Sequence, residues 1–260
     1  MLLLLLTAVF GLLIGSFLNV CIYRIPRDIS VVAPRSFCPE CGSPVPWFDN
    51  IPVLSFALLR GKCRACAKPI GIRYPAVELT TAALFVWTVA LYGLTVSSAK
   101  WLLFESILIV LFVTDLEERL LPDELTLGGS AVGLIFAFFV PVPGFPGDLL
   151  VEFGVTARSL LNAVAGASLL AAVLWLVGFL YARIRHRDGL GLGDVKLLIL
   201  LGVYLGFERA LLALLVGCVA GSIIGLGYIL LTRKQASTYQ LPLGSFLCAG
   251  AALIPLITRS

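Results

Sequence analysis

Charge is what this sequence has least of. Asp, Glu, Lys and Arg together make up 13% of its 260 residues, where a soluble domain carries about 25%. With 60% apolar residues and a mean hydropathy of +1.04, an ordinary water-soluble domain is excluded. The chain has a single histidine, His186, so a histidine-based metal centre is excluded too, and a membrane anchor is its simplest use. No internal repeat or low-complexity segment is evident, which counts against a transporter built from repeated halves. The first apolar run lacks the basic start and small-residue cleavage site of a secretion signal. It reads as a retained helix.

What the chain has instead is long apolar stretches, close to the roughly 20 residues a bilayer helix needs. Eight are expected, near residues 1–23, 76–97, 100–116, 124–142, 159–182, 194–208, 210–231 and 241–257. The fold class this implies is all-α and polytopic. Residues 1–23 form the first transmembrane helix, 24–75 a cytoplasmic loop, and 76–260 a transmembrane core; residues 142–158 form an outward loop. Of the 19 lysines and arginines, Lys100, Arg158, Arg209 and Arg259 fall on one face and all the others on the opposite one. Basic residues concentrate on the cytoplasmic side, so the loop 24–75 faces the cytoplasm. The net charge of +4 follows from this topology and gives no reason to expect nucleic acid as a partner; membrane lipid is the expected surrounding.

The loop holds Cys38-Pro-Glu-Cys41 and Cys63-Arg-Ala-Cys66, two C-x2-C pairs separated by 21 residues. Each pair presents two thiolates from one turn, and two such turns complete a tetrahedral four-thiolate zinc site. A Pro- and Gly-rich loop of this size buries little core, so the metal would supply much of its folding energy. The alternative is two disulfides, which a reducing cytosol opposes. Four cysteines leave no open coordination position, so the zinc is structural. Cys21, Cys218 and Cys248 lie in apolar helices and read as packing residues.

Two acids stand at the ends of apolar runs: Asp115 in Leu-Phe-Val-Thr-Asp and Asp194 in Gly-Leu-Gly-Leu-Gly-Asp. A carboxylate within a bilayer helix costs about 2.5–3.5 kcal/mol at the centre and less near the surface. Two of them on the same side point to a shared site. Paired carboxylates share one proton, so one can take a proton from water while the other donates to a peptide carbonyl. That is the chemistry of an aspartic protease. Gly189, Gly191 and Gly193 leave room for an extended substrate. Each acid also has a plain structural use: Asp194 as the cap of the following helix, Asp115 as a partner of Arg119 one turn on. Glu117, Glu118 and Asp123 compete for the first position, and spacing alone does not choose. Glu78, at the start of the second helix, either pairs with a loop arginine or faces a polar cavity.

Taken in order, Gly15-Ser-Phe-Leu-Asn-Val-Cys-Ile-Tyr-Arg-Ile-Pro26, the two cysteine pairs, Pro46-Trp-Phe-Asp-Asn-Ile-Pro52, Leu59-Arg-Gly-Lys-Cys63, Arg73-Tyr-Pro-Ala-Val-Glu78, Asp115 with Leu121-Pro-Asp123, and Gly191-Leu-Gly-Asp-Val-Lys-Leu197 resemble the type IV prepilin peptidases. The resemblance runs over nearly the whole chain. It implies an enzyme of the bacterial inner membrane whose active site faces the cytoplasm. Such an enzyme cleaves the basic leader of prepilins and pseudopilins after a glycine, then N-methylates the new terminus with S-adenosylmethionine as methyl donor. It implies Asp115 and Asp194 as the catalytic pair, a structural role for Asp123, and an association of the cysteine loop with zinc and methylation. Pilus or secretion assembly machinery is the implied wider partner. Departures from the family pattern are Leu190 for the commoner Met, Gly128-Gly129 where proline is frequent, and Ser245 where the family often has proline. None is expected to touch a catalytic atom. The rival readings are a proton-coupled transporter and a non-catalytic assembly scaffold.

Overall fold

The computed structural model describes residues 1–149, 152–185, 191–232 and 242–257; His186, Gly189, Leu190 and Arg259 lie outside them. The described residues are helical and contain no sheet. They fall into two compact units, Met1–Val110 and Leu111–Ser260.

In the first unit, α1 (Leu2–Arg24) packs on α3 (Arg73–Tyr92), and the short α2 (Leu54–Leu58) lies in the loop between them. Pro75 is tolerated in the first turn of α3, where its missing N–H leaves no bond unmade. Gly93, at φ 67°, ends that helix in a conformation suited to glycine. The α1–α3 contact is set by residues without side chains: a Cβ at Gly11 would sit 2.6 Å from Ala82 Cα, and one at Gly15 2.6 Å from Glu78 Cα. Helix α4 (Val96–Glu118) carries the chain into the second unit.

The second unit continues with α5 (Asp123–Phe139), α6 (Val155–Arg185), α7 (Leu192–Leu205), α8 (Phe207–Thr232) and α9 (Leu243–Ile257). Its centre is α7, which packs against α5, α6, α8 and α9 and is almost wholly buried from Leu197 to Leu205. Gly202 and Gly166 make the α6–α7 contact a backbone-to-backbone one. A Cβ at Gly202 would fall 2.3 Å from Ala167 N. The loop between α5 and α6 is tied down by buried polar side chains: Ser159 Oγ accepts the Val142 N–H at 2.9 Å, and Asn162 Oδ1 accepts the Gly147 N–H at 2.6 Å.

A helix occupies each of the eight expected stretches. Five of them, Leu2–Arg27, Arg73–Tyr92, Val96–Glu118, Val155–Arg185 and Phe207–Leu231, are long and apolar enough to cross a membrane. The other three have 17, 14 and 15 residues, short of a full span. Side chains such as Phe10 and Leu13 on α1, Val173 and Leu180 on α6, and Ile223 and Leu226 on α8 point outward, as lipid-facing residues do. In hydrocarbon every backbone group must be paired within the chain, which helices achieve. The protein is a multi-pass membrane protein. Gly217 and Gly221 of α8 face Leu247 and Phe246 of α9, whereas a Cβ at Gly227 would meet open space.

Candidate active site and four-thiol centre

Asp115 lies in the last turn of α4 and is 7% exposed, whereas Glu117, Glu118 and Asp123 are exposed. Burial therefore singles out one acid among the four that spacing could not rank. Its Oδ2 accepts two hydrogen bonds from Ser245, at 2.6 Å from the backbone N–H and 2.8 Å from the hydroxyl. Ser245 stands in the first turn of α9, where the amides have no partner within the helix. A carboxylate from α4 thus fills the place that a side-chain cap or water would take. Gly244 makes this approach possible, since a Cβ there would lie 3.1 Å from Asp115 Cγ and Oδ2. The Ser245 hydroxyl also lies 2.9 Å from the Phe112 carbonyl, so its one hydrogen serves two acceptors in turn. The expectation that no departure from the family pattern touches a candidate catalytic atom is corrected here: Ser245 bonds the Asp115 carboxylate. The expected one-turn pair with Arg119 also differs, because the guanidinium reaches the Asp115 backbone carbonyl, at 3.4 Å, and not the carboxylate.

Asp194 is the third residue of α7. The cap position belongs to Gly191, no side-chain cap bond forms there, and the Asp194 N–H is bonded to the Gly191 carbonyl at 3.1 Å. The plain capping use of Asp194 is therefore absent. Its carboxylate is partly buried and feels the charge of Asp115. The thiol of buried Cys248, one turn beyond Ser245, lies within electrostatic reach of both acids. Leu121 packs between their supports: Cβ atoms at Gly193 and Gly244 would meet it at 3.3 and 3.1 Å. Asp123 is held apart by Lys196, whose Nζ bonds both carboxylate oxygens at 2.7 and 2.8 Å.

In the cysteine loop the two C-x2-C turns share one hydrogen-bond pattern. The Cys38 N–H donates to Ser43 O and the Gly42 N–H to Cys38 O, at 2.9 and 2.8 Å. Cys63 repeats this with Lys68 O and the Ala67 N–H, both at 2.9 Å. Gly42 and Ala67, each just after the second cysteine of its pair, have φ of 70° and 59°. The four sulfurs lie within 4.8 Å of one another, and Cys38 Sγ is 4.0 Å from Cys66 Sγ. Zinc–sulfur bonds of about 2.3 Å place thiolates about 3.8 Å apart in a tetrahedron, so the donor set fits a metal ion. All seven cysteines are free thiols, and the disulfide alternative is absent. Side-chain and backbone hydrogen bonds from Ser43 pull the Cys41 thiol down to about 6, toward the thiolate a metal requires. Ion pairs brace the loop: Arg64 is bidentate on Asp49 at 2.6 and 2.7 Å, and Lys68 meets Glu40.

Sequence reasoning left Glu78 between two partners. Its Oε2 accepts the Val53 N–H at 2.7 Å, and the side chain lines a cavity, so the polar-cavity alternative is the one realised. Sequence reasoning also passed over Glu105, fully buried in α4 with Oε1 2.5 Å from the Thr88 hydroxyl. A lone acid inside Leu-Leu-Phe-Glu-Ser-Ile was the available signal.

These features define a helical membrane protein with a buried and a partly buried aspartate within electrostatic reach of each other, and a separate four-thiol centre. The chain belongs to the type IV leader peptidase family: that family's model matches residues 102–226, and the bacterial peptidase A24 N-terminal domain matches 9–92. Asp115 and Asp194 lie in the first of these segments and the four cysteines in the second. The chain is 35% identical to a prepilin leader peptidase/N-methyltransferase of Aeromonas hydrophila, over 92% of this chain and 85% of that protein. It is 33% identical to one from Pseudomonas putida, over 93% and 86%. A relative so named from Myxococcus xanthus (strain DK1622) is 36% identical over 87% of this chain, which spans 63% of that protein's length. No solved structure matches.

Proposed function

We propose that this protein is a bifunctional prepilin leader peptidase and N-methyltransferase of the bacterial inner membrane, with Asp115 and Asp194 as its catalytic pair on the cytoplasmic side. The observation that supports the reading is that buried Asp115 and partly buried Asp194 lie within electrostatic reach of each other in the family-matched segment. Cleavage needs no nucleophilic side chain. The ionised carboxylate accepts a proton from water as the oxygen attacks the scissile carbonyl after the leader glycine, and the protonated one donates to the carbonyl oxygen. Ser245 holds one Asp115 oxygen with two hydrogen bonds, in space that Gly244 leaves open, and the other oxygen serves the proton transfer. Gly189, Gly191 and Gly193, before Asp194, admit an extended peptide. Pilin and pseudopilin precursors are the substrates, delivered from lipid and passed to assembly machinery.

In this reading Cys38, Cys41, Cys63 and Cys66 hold one structural zinc, which ties the two turns of the loop together. S-adenosylmethionine supplies an activated methyl group to the new terminal amine.

The test is cleavage of a prepilin by purified protein, wild type beside Asp115→Asn and Asp194→Asn, with mass spectrometry of the product. Loss in both variants with normal membrane insertion is expected. Near-normal cleavage by either variant removes that aspartate from the mechanism. One added methyl mass on the product, when S-adenosylmethionine is supplied, reports the second activity.

A further inference from the structure

The first unit contains a cavity of about 600 Å³, within the usual size range of small-molecule sites, and two of its polar side chains are arranged for a ligand. Because Gly15 has no side chain, α1 lies directly against α3 at Glu78. This sets Ser16 beside a carboxylate that is 7% exposed, with Asn19 one turn further along α1 on the same cavity. Ser16 and the Val53 N–H both donate to Glu78. Val53 holds φ at 59°, a genuine outlier for a β-branched residue. Backbone strain of this kind persists only where the surroundings enforce it, and it gathers at ligand sites.

Asn19 is 3% exposed. Its amide NH2 is committed to Gly15 O at 3.3 Å and Tyr74 O at 3.0 Å, which fixes the orientation of the group. Its Oδ1 is buried without a hydrogen-bond partner. A buried acceptor in that state is rare and calls for a missing donor. Arg24 also lines the cavity, yet its guanidinium is spent on the carbonyls of Ser30 and Pro34, each at 2.7 Å. The cavity, whose lining also includes Arg27, Arg64, Lys68 and Arg73, therefore offers among its groups a carboxylate and an amide oxygen, both acceptors. A primary ammonium answers both: it carries a positive charge and several N–H donors.

Resting on the methyltransferase reading above, we propose that Glu78 and Asn19 are the methyl-acceptor subsite, which receives the terminal amine of the processed chain. The amine arrives as R–NH3+ and passes one proton to the Glu78 carboxylate. Its freed lone pair attacks the methyl carbon of the sulfonium donor. The carbon–sulfur bond breaks with its electrons going to sulfur, leaving a neutral thioether and R–NH2+–CH3. Asn19 Oδ1 accepts one of the remaining N–H groups and aims the lone pair. Glu78 is the catalytic base and Asn19 the positioning residue.

Glu78→Gln tests this, because glutamine keeps an oxygen for the Val53 N–H and cannot take the proton. Methyl transfer to an already processed pilin peptide should fall by more than about 100-fold, the usual weight of a general base. Binding of S-adenosylhomocysteine, followed by calorimetry, and zinc content should match wild type. Wild type should also bind a peptide with a free amine more tightly than its N-acetylated form, and the variant should lose that preference. Methylation by the variant at the wild-type rate overturns the proposal. So does loss of S-adenosylhomocysteine binding or of zinc, which would make Glu78 a donor-site or structural residue. If Glu78→Gln does not fold, the comparison of free and acetylated peptides on wild type still decides, and equal binding overturns the subsite. A wild type that cleaves but never methylates removes the methyltransferase reading itself, before any variant is compared.

Discussion

Replacing Ser245 with alanine isolates one of the two hydrogen bonds on Asp115. The backbone N–H at 2.6 Å survives and the hydroxyl at 2.8 Å is lost. A hydrogen bond to a charged group contributes about 1.5–3 kcal/mol. The hydroxyl hydrogen is shared with the Phe112 carbonyl at 2.9 Å, so the low end of that range applies. At about 1.4 kcal/mol per tenfold change, cleavage should slow by roughly tenfold. Ser245 acts through its bonds to Asp115, so the loss should fall on kcat with KM nearly unchanged. The assay is steady-state cleavage of a prepilin peptide by the purified variant, with thermal unfolding run in parallel. A kcat within about twofold of wild type would show that the hydroxyl does nothing for the reacting carboxylate. A fall in kcat matched by a large loss of stability would make Ser245 a packing residue only.

Three further outcomes are expected. Gly244→Ala places a methyl group 3.1 Å from the Asp115 carboxylate and from Leu121 Cδ1, so it should suppress cleavage more than it lowers the unfolding temperature; the reverse order would contradict the site geometry. Gly202→Ala drives a Cβ to 2.3 Å from the backbone of α6 and should destabilise by about 1–3 kcal/mol or more, read as an earlier unfolding transition in detergent. Cys38→Ser or Cys63→Ser should lower bound zinc from one ion per chain and reduce methylation with a smaller effect on cleavage; a chain that stays zinc-free under reducing, metal-replete conditions would exclude the metal.

Much of this molecule is legible in its sequence because hydropathy and short-range spacing carry the information. The helices follow from the apolar runs, and the four-thiol cluster from two C-x2-C pairs whose turns need only neighbouring residues to form. The choice of Asp115 over Glu117, Glu118 and Asp123 needed either a family resemblance or a burial pattern, since all four are near one another in the chain. Ser245 was invisible for a different reason. Its bonds to Asp115 join residues 130 positions apart, and a serine in an apolar helix usually bonds its own backbone, as Ser222 does to Cys218 at 2.7 Å. The misassigned cap has a local cause. Glycine at position 191 starts α7 three residues before Asp194, so the aspartate that reads as a cap from its neighbours is already inside the helix.

The 14 residues of α7 rise only about 21 Å, while the hydrocarbon layer is about 30 Å thick. A helix of that length standing alone would thin the bilayer around it or draw its flanking residues toward the surface to settle the mismatch. Enclosed by α5, α6, α8 and α9, α7 makes no such bargain with lipid, and the depth of Asp194 is set by protein. Membranes of different thickness act first on α6, whose 31 residues reach about 46 Å and accommodate by tilting. The change reaches α7, and with it Asp194, through the contacts of α6 with α7, α5 and α8, among them the backbone contact at Gly166 and Gly202. Acyl-chain length then acts on α7 through neighbouring protein and not through direct contact with lipid.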